Sequence, residues 1–270
     1  MTPSGGIQIS IIIPVYNEAG RIEVTLERLV TYLWPRWSFE IIVIDDGSID
    51  ASAMVIDRCA ARHPEIRRIT HPANRGKGAA VQQGVLEAAG RVVAFSDADF
   101  STPIEELEPM LARLQEGIDV VIGSRALPGS RLEVRQRWTR EMMGRMFNLL
   151  VRKLFGLPFR DTQCGFKVFQ REAARDIFSR VTVSGFAFDV EVLLLARRLD
   201  YRVCEVPVRW AHMPDSKVRL VRDSLGMLGE VARLARLAAA QPQILSDKQT
   251  EERLDRPAVP HVDIKETLSN

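Results

Sequence analysis

One unit recurs through the first half of this chain: an apolar run rich in β-branched residues stops at acids or turn residues, and a segment with helical spacing follows. Ile7 to Val15 (IQISIIIPV) runs into Tyr16, Asn17 and Glu18, and Phe39 to Ile44 (FEIIVI) into Asp45, Asp46, Gly47 and Ser48. Arg91 to Phe95 leads to Ser96, Asp97 and Asp99, and Asp119 to Gly123 (DVVIG) to Ser124 and Arg125. A shorter run, Ile66 to Thr70, lies between the second and third of these. The spacing predicts helices near 21–33, where Ile22, Leu26, Leu29, Val30 and Leu33 share a face ahead of Trp34 and Pro35, and near 51–61. Two more are expected from the loop HPANRGKGAA to about 89, and over 104–115. Strands alternating with helices need crossover connections, which predicts an α/β fold with a mainly parallel central sheet and helices on both faces. Such sheets bind ligands outside the carboxyl ends of their strands, the edge to which all these polar clusters are delivered.

The cluster after Phe95 carries the most specific chemistry. Asp97 and Asp99 flank the small Ala98, and two carboxylates forced together either raise a pKa or hold a cation between them. A hard divalent ion carrying a diphosphate meets that requirement. The alternative is an Asx turn opening a helix, to which Ser101, Thr102 and Pro103 ahead of Glu105 and Glu106 are suited; the companion clusters at the same edge favour the ligand site. Asn74-Arg75-Gly76-Lys77-Gly78 sets two glycines and two cations before a helix, which suits a phosphate, with Lys77 as the donor-binding candidate, or a simple basic turn. Neither a Walker loop nor a dinucleotide-binding G-x-G-x-x-G is present. A formal charge of +2 supplies no field for nucleic acid. Cys59, Cys164 and Cys204 lie far apart without a C-x-x-C, which fits buried thiols in a reducing cytoplasm. MTPSGG lacks the features of a signal peptide, and no apolar run approaches the ~18–20 residues that cross a bilayer, so any membrane contact is expected to be peripheral.

Taken in order, IIIPVYNE, VIDDGSID, NRGKGAAVQQG, SDADFSTP, GSR, RDTQCGFKVF and GFAFDVEVLLLA resemble the family-2 inverting glycosyltransferases that charge polyprenyl phosphates. The likeness runs from about Ile9 to about Val221; it is greatest to dolichyl-phosphate β-glucosyltransferases and next to dolichyl-phosphate mannose synthases. It implies a single GT-A type catalytic domain, a nucleotide-diphospho-sugar donor, and Mg²⁺ or Mn²⁺ as cofactor. It also implies that Pro14, Tyr16, Glu18 and Asp45 line the nucleotide pocket, with Asp46 supporting the same wall. By the same resemblance Asp97 and Asp99 hold the metal and the donor phosphates, Ser216 and Lys217 close over the diphosphate, and Arg125 and Arg137 grip the acceptor phosphate. Ser101 stands where mannose synthases often carry Gln. Asp161 is either a base or an arginine-orienting group; Asp189 and Glu191 are a helix cap and a first-turn acid, or border the acceptor groove. A polyprenyl phosphate is already an anion near neutral pH, with a second pKa near ~6, so it needs little help from a base. Catalysis then consists mainly of positioning and charge neutralisation.

Arg135 to Phe155 carries six basic residues against Glu141, with Trp138, Met142, Met146 and Leu149 on one side and Met143, Phe147, Leu150 and Leu154 beside them. This reads as an amphipathic helix lying in a bilayer surface, against the alternative of a core helix. Val218, Val221, Leu225, Leu228, Val231 and Leu234 form a second stripe. The expected division is a catalytic domain over 1–215 that includes the interface helix 135–155, an amphipathic helix over 216–240, and a disordered tail over 241–270. The expected function is transfer of a hexose, glucose from UDP-glucose, to a dolichyl or undecaprenyl phosphate by an enzyme peripheral to the cytoplasmic face of the membrane. GDP-mannose as donor, a hydroxyl acceptor, and a non-catalytic adaptor that binds nucleotide sugars are the alternatives; a homo-oligomer or a partner protein is a further possible anchor.

Overall fold

The computed structural model describes residues 6–134, 138–211 and 220–240. The expected alternation is present throughout the first half: β1 (Ile9–Val15), α1 (Ile22–Leu33), β2 (Phe39–Asp45), α2 (Ser52–Arg62), β3 (Ile66–Thr70), α3 (Lys77–Glu87), β4 (Val92–Phe95), α4 (Leu107–Gln115) and β5 (Val120–Ser124). Because β1 is apolar on both sides, it runs between β2 and β4 with Ile11 and Ile13 packed into one layer and Ile12 into the other. On the first face lie α1, α2 and α4, whose Leu26, Ile56 and Leu107 join the core. On the second lies α3, through Ala80, Val81 and Val85.

Beyond β5 the chain departs from a simple parallel order. β6 (Arg131–Val134) and β9 (Arg209–Ala211) pair as a small separate sheet that sets Leu132 opposite Trp210. After α5 (Trp138–Phe155) comes β7 (Lys167–Gln170), followed by α6 (Arg171–Phe178), α7 (Phe188–Arg198) and β8 (Val203–Pro207). The seven strands of the main sheet are ordered β3-β2-β1-β4-β7-β5-β8, and β7 runs antiparallel to both neighbours. Four residues with a charged first position carry no periodic signal, so the strand escaped sequence reasoning. Phe95 pairs with Lys167 across it, which brings the loop before β7 to the carboxyl end of β4.

Asp189 and Glu191 are both first-turn acids of α7, as one reading of the sequence had it for the pair, but the cap position falls to Ala187 and neither acid caps the helix. Lys167 is fully buried, its ammonium paired with the carboxylate of Asp189 and donating to the Cys164 carbonyl at 2.7 Å. Glu191 accepts from the backbone N–H groups of Thr182 and Val183 and from the Thr182 hydroxyl. Asp189 thus ties α7 to β7, and Glu191 ties it to the backbone of its own leading segment.

Two helices edge the second face. α5 buries Val151 and Phe155 but exposes Met142, Met146, Leu149, Leu150 and Leu154. α8 (Leu220–Ala240) buries Val231 and Leu234 against the same core and leaves Leu228 exposed, so the stripe read from its sequence is divided between core and surface. Among the described residues no helix is long and apolar enough to cross a membrane. Arg137, Ser216, Lys217 and the segment 241–270 lie outside the described residues.

Lys167→Met should destabilise the fold by roughly 3–5 kcal/mol in urea unfolding, because it leaves the Asp189 charge buried without a partner. Lys167→Met combined with Asp189→Leu should recover most of that loss; a single variant as stable as wild type would show that the pair is not structural.

Candidate active site

The strand ends place the polar clusters side by side, each fixed by the turn that follows. At β1, Asn17 adopts a left-handed conformation (φ 58°) and its Oδ1 accepts from the N–H groups of Ile49 and Asp50, tying this turn to the one after β2. Pro14 lies within β1, Tyr16 just beyond it is exposed, and Glu18 pairs with Arg21. Asp45 is buried at the end of β2, accepts the Ser48 N–H at 3.0 Å and faces Arg68. Asp46, the residue expected to support the nucleotide wall, is fixed to the loop that follows β3. Its buried carboxylate takes the N–H groups of Arg75 and Gly76 at 2.9 Å each and contacts His71 Nδ1 at 2.6 Å, so its hydrogen bonds hold the 71–76 loop. Gly76 there has φ 100°, and a Cβ would lie 2.4 Å from the Ser184 carbonyl, so only glycine lets this loop close down on α7's leading segment.

That closure puts Lys77 at the start of α3, where its Nζ lies 2.6 Å from Asp97 Oδ1. Burial alone would pull the Lys77 ammonium down, but Asp97, Asp189 and Asp99 outweigh it and hold the group above the usual lysine range. The Asp97–Asp99 turn is set by Thr25, which donates to the Ala98 carbonyl at 2.7 Å, and by Phe100, buried in a left-handed conformation (φ 53°). Burial pushes the Asp99 carboxyl up and the charge of Asp97 adds to it. Two oxygen donors that repel each other in a half-buried turn fit a hard divalent cation. Gly165, in the loop before β7, approaches so closely that a Cβ there would lie 2.0 Å from Asp97 Oδ2.

The same loop supplies Asp161. Its carboxylate accepts from Arg125 Nε at 2.6 Å and from Nη2 at 2.9 Å, a two-pronged pair, and from the Arg125 N–H at 3.0 Å. Burial opposes the charge, but Arg125 and these hydrogen bonds prevail and hold the Asp161 carboxyl at about 2. A carboxylate that acidic takes no proton near neutral pH, so of its two expected roles the geometry supports orienting Arg125. Arg125 also stacks on Trp210, 5.6 Å from the ring centre, and feels the charge of Asp97. It stands between the aspartate turn and a cavity of about 650 Å³ walled by α5, the 160–163 loop and Trp210. Glu205 on β8 accepts the N–H groups of Arg160 and Asp161, and Asn148 on α5 accepts from Thr162, which fixes both walls. Sequence reasoning missed this cavity's Arg145, Asn148, Arg152, Arg160 and Trp210, which come from separate elements and share no local motif.

Gly165→Ala should weaken binding of Mn²⁺ with UDP at least tenfold in calorimetry while leaving the circular dichroism spectrum unchanged; full affinity would detach Asp97 from any metal–diphosphate site. The Asp161 carboxyl falls from an ordinary 3.8 to about 2 on folding, so its contribution to stability, about 2 kcal/mol, is present above pH 4 and lost as pH falls through 2. The stability gap between wild type and Asp161→Asn, followed by acid titration, should close over that window.

Residues 10–178 match glycosyl transferase family 2. A dolichyl-phosphate β-glucosyltransferase of Trichomonas vaginalis is 36% identical over 225 residues, covering 79% of this chain and 67% of that protein. One from Dictyostelium discoideum is 34% identical over 245 residues, covering 86% and 75%. In structure, the chain is similar to Mycobacterium tuberculosis glucosyl-3-phosphoglycerate synthase solved with Mn²⁺, UDP and phosphoglyceric acid, with a TM-score of 0.61 and 20% identity over 90% of this chain and 80% of that one. At that identity the likeness speaks to the fold, a GT-A type α/β architecture. From its ordered motifs, its sheet and its relatives together, the chain belongs to glycosyl transferase family 2.

Proposed function

We propose that this protein transfers glucose from UDP-glucose, with inversion, to a polyprenyl phosphate at the cytoplasmic face of a membrane, with Mg²⁺ or Mn²⁺ at Asp97 and Asp99. The observation that carries this reading is the two-pronged Asp161–Arg125 pair beside the aspartate turn. Asp161 is held too acidic to activate a hydroxyl, which calls for an acceptor that is already an anion, and Arg125 presents a fixed cation to receive one. The relatives named for glucosyl transfer to dolichyl phosphate match the same acceptor chemistry.

On the donor side, Pro14, Tyr16, Glu18 and Asp45 border the nucleotide, with Asp46 acting through the 71–76 loop. Lys77, and Ser216 and Lys217 outside the described residues, contact the diphosphate. A divalent ion at the aspartates would supply neutralisation of the leaving diphosphate. The chain's own task is to bring two anions together: Arg125, and Arg137 outside the described residues, offset their repulsion and hold the acceptor phosphate for attack on the anomeric carbon. The exposed apolar face of α5, flanked by Arg145 and Lys153, is suited to rest on a bilayer surface, with α8 as the second contact.

The test is incubation with Mn²⁺, a panel of labelled nucleotide sugars that includes GDP-mannose, and a short polyprenyl phosphate. Glucose should enter the lipid fraction; label excluded from lipid with every donor would overturn the proposal. Asp99→Ala should abolish transfer and weaken UDP binding, whereas Arg125→Ala should spare UDP binding and lower kcat/KM by 10² or more. The acid limb of kcat/KM should follow the acceptor's second ionisation near ~6 and stay in place in Asp161→Asn; a limb erased by that substitution would restore Asp161 as the base.

A further inference from the structure

We propose that Arg152 and Arg160 join Arg125 in a guanidinium cluster that selects, as occupant of the cavity beside α5, a phosphomonoester dianion borne on an apolar chain. This rests on the acceptor reading above and names the residues that determine its specificity. Of the arginines lining the cavity, Arg145 is paired with Glu141 at 2.6 Å and Arg125 with Asp161. The other two are uncompensated. Arg152 Nε is buried with no hydrogen-bond partner, and the Arg160 guanidinium makes no ion pair among the described residues. Arg160 is nevertheless held in place from both sides, its N–H by Glu205 Oε2 at 2.8 Å and its carbonyl by Asn148.

The buried Arg152 Nε, left without an acceptor, is costly to the fold unless a ligand supplies one. The half-buried Arg152 and the exposed Arg160 together equal the charge of a phosphomonoester above its second ionisation near ~6, and the planar fork of each guanidinium matches two phosphate oxygens. Leu127, Leu132, Leu149 and Trp210 give the wall an apolar part, beside the polar Asn148 and Gln163. Leu149 also belongs to the exposed face of α5 with Met146 and Leu150, so an apolar chain leaving the cavity has a continuous path along the helix. A small phosphorylated hydroxy acid leaves that wall uncovered, and a neutral polyprenol leaves the arginines unpaired.

The experiment titrates the full chain with citronellyl phosphate, inorganic phosphate, 3-phosphoglycerate and citronellol, followed by calorimetry and tryptophan fluorescence. Citronellyl phosphate should bind at least tenfold more tightly than the other three. Arg152→Gln and Arg160→Gln should each weaken it at least tenfold while leaving affinity for UDP with Mn²⁺ within twofold, and Arg160→Lys should recover part of the loss. The exposed Arg160 carries the test if Arg152→Gln proves unstable. Wild-type affinity in Arg160→Gln, or inorganic phosphate or 3-phosphoglycerate binding as tightly as the lipid analogue, would overturn the proposal. Arginine-dependent binding of citronellyl phosphate without glucose transfer would sink the transfer reading and leave this one standing.

Discussion

Carboxylates gathered at one end of a mainly parallel sheet repel one another, and this molecule answers four of them with a cation brought from elsewhere in the chain. Asp189 has Lys167, Asp97 has Lys77, Asp161 has Arg125 and Asp45 faces Arg68. Each pair closes a loop through the fold, so the site cannot assemble piecemeal. The strand β7 makes this possible: running against its neighbours, it starts where β4 ends and so carries Asp161, Gly165 and Lys167 to the edge that already holds Asp97. A fully parallel sheet would have delivered that loop to the opposite edge.

The pairing also defines the kind of chemistry available. A carboxylate clasped by a guanidinium is a poor base and a good brace, and Arg125, gripped by Asp161 and stacked on Trp210, is a cation whose direction is settled before any ligand arrives. Charge stabilisation by preorganised groups suits a reaction between two phosphate-bearing partners, where the barrier comes largely from bringing anions together. Family 2 membership and the glucosyltransferase relatives are consistent with such a division of labour.

α5 serves two surfaces at once. Val151 and Phe155 anchor one edge in the core, Asn148 and Arg152 turn toward the cavity, and Met142, Met146 and Leu150 face outward. Because a helix presents a new direction every ~100°, one segment can wall a polar cavity and offer an apolar stripe to a lipid surface without conflict. The periodicity alone is the same for a core helix and an interfacial one. Coverage of the apolar residues tells a core helix from a surface one, and on α5 Met142, Met146, Leu149, Leu150 and Leu154 are exposed.

Much of this was legible in the residues themselves. Apolar runs ending in acids or turn residues located four strands of the sheet, a shorter run a fifth, and the polar ends marked the edge where ligands are expected, since strand burial and turn chemistry are local properties that a short window of sequence contains. The Asp97–Ala98–Asp99 turn was marked by its spacing together with the companion clusters at the same edge, and the Gly76–Lys77 loop by its glycines and cations, which a basic turn would share. Other features were decided only by the folded chain. Nothing near Lys167 signals that its ammonium is buried on Asp189, nothing near Asp46 that its carboxylate braces the 71–76 loop, and nothing near Arg152 that its Nε is buried without a hydrogen-bond partner. Those outcomes depend on groups tens of residues apart meeting in a medium of low dielectric, where the strength and even the sign of a charge's contribution are set by what surrounds it. Order along the chain determined which chemistry was present, and packing determined which of those groups were left free to use it.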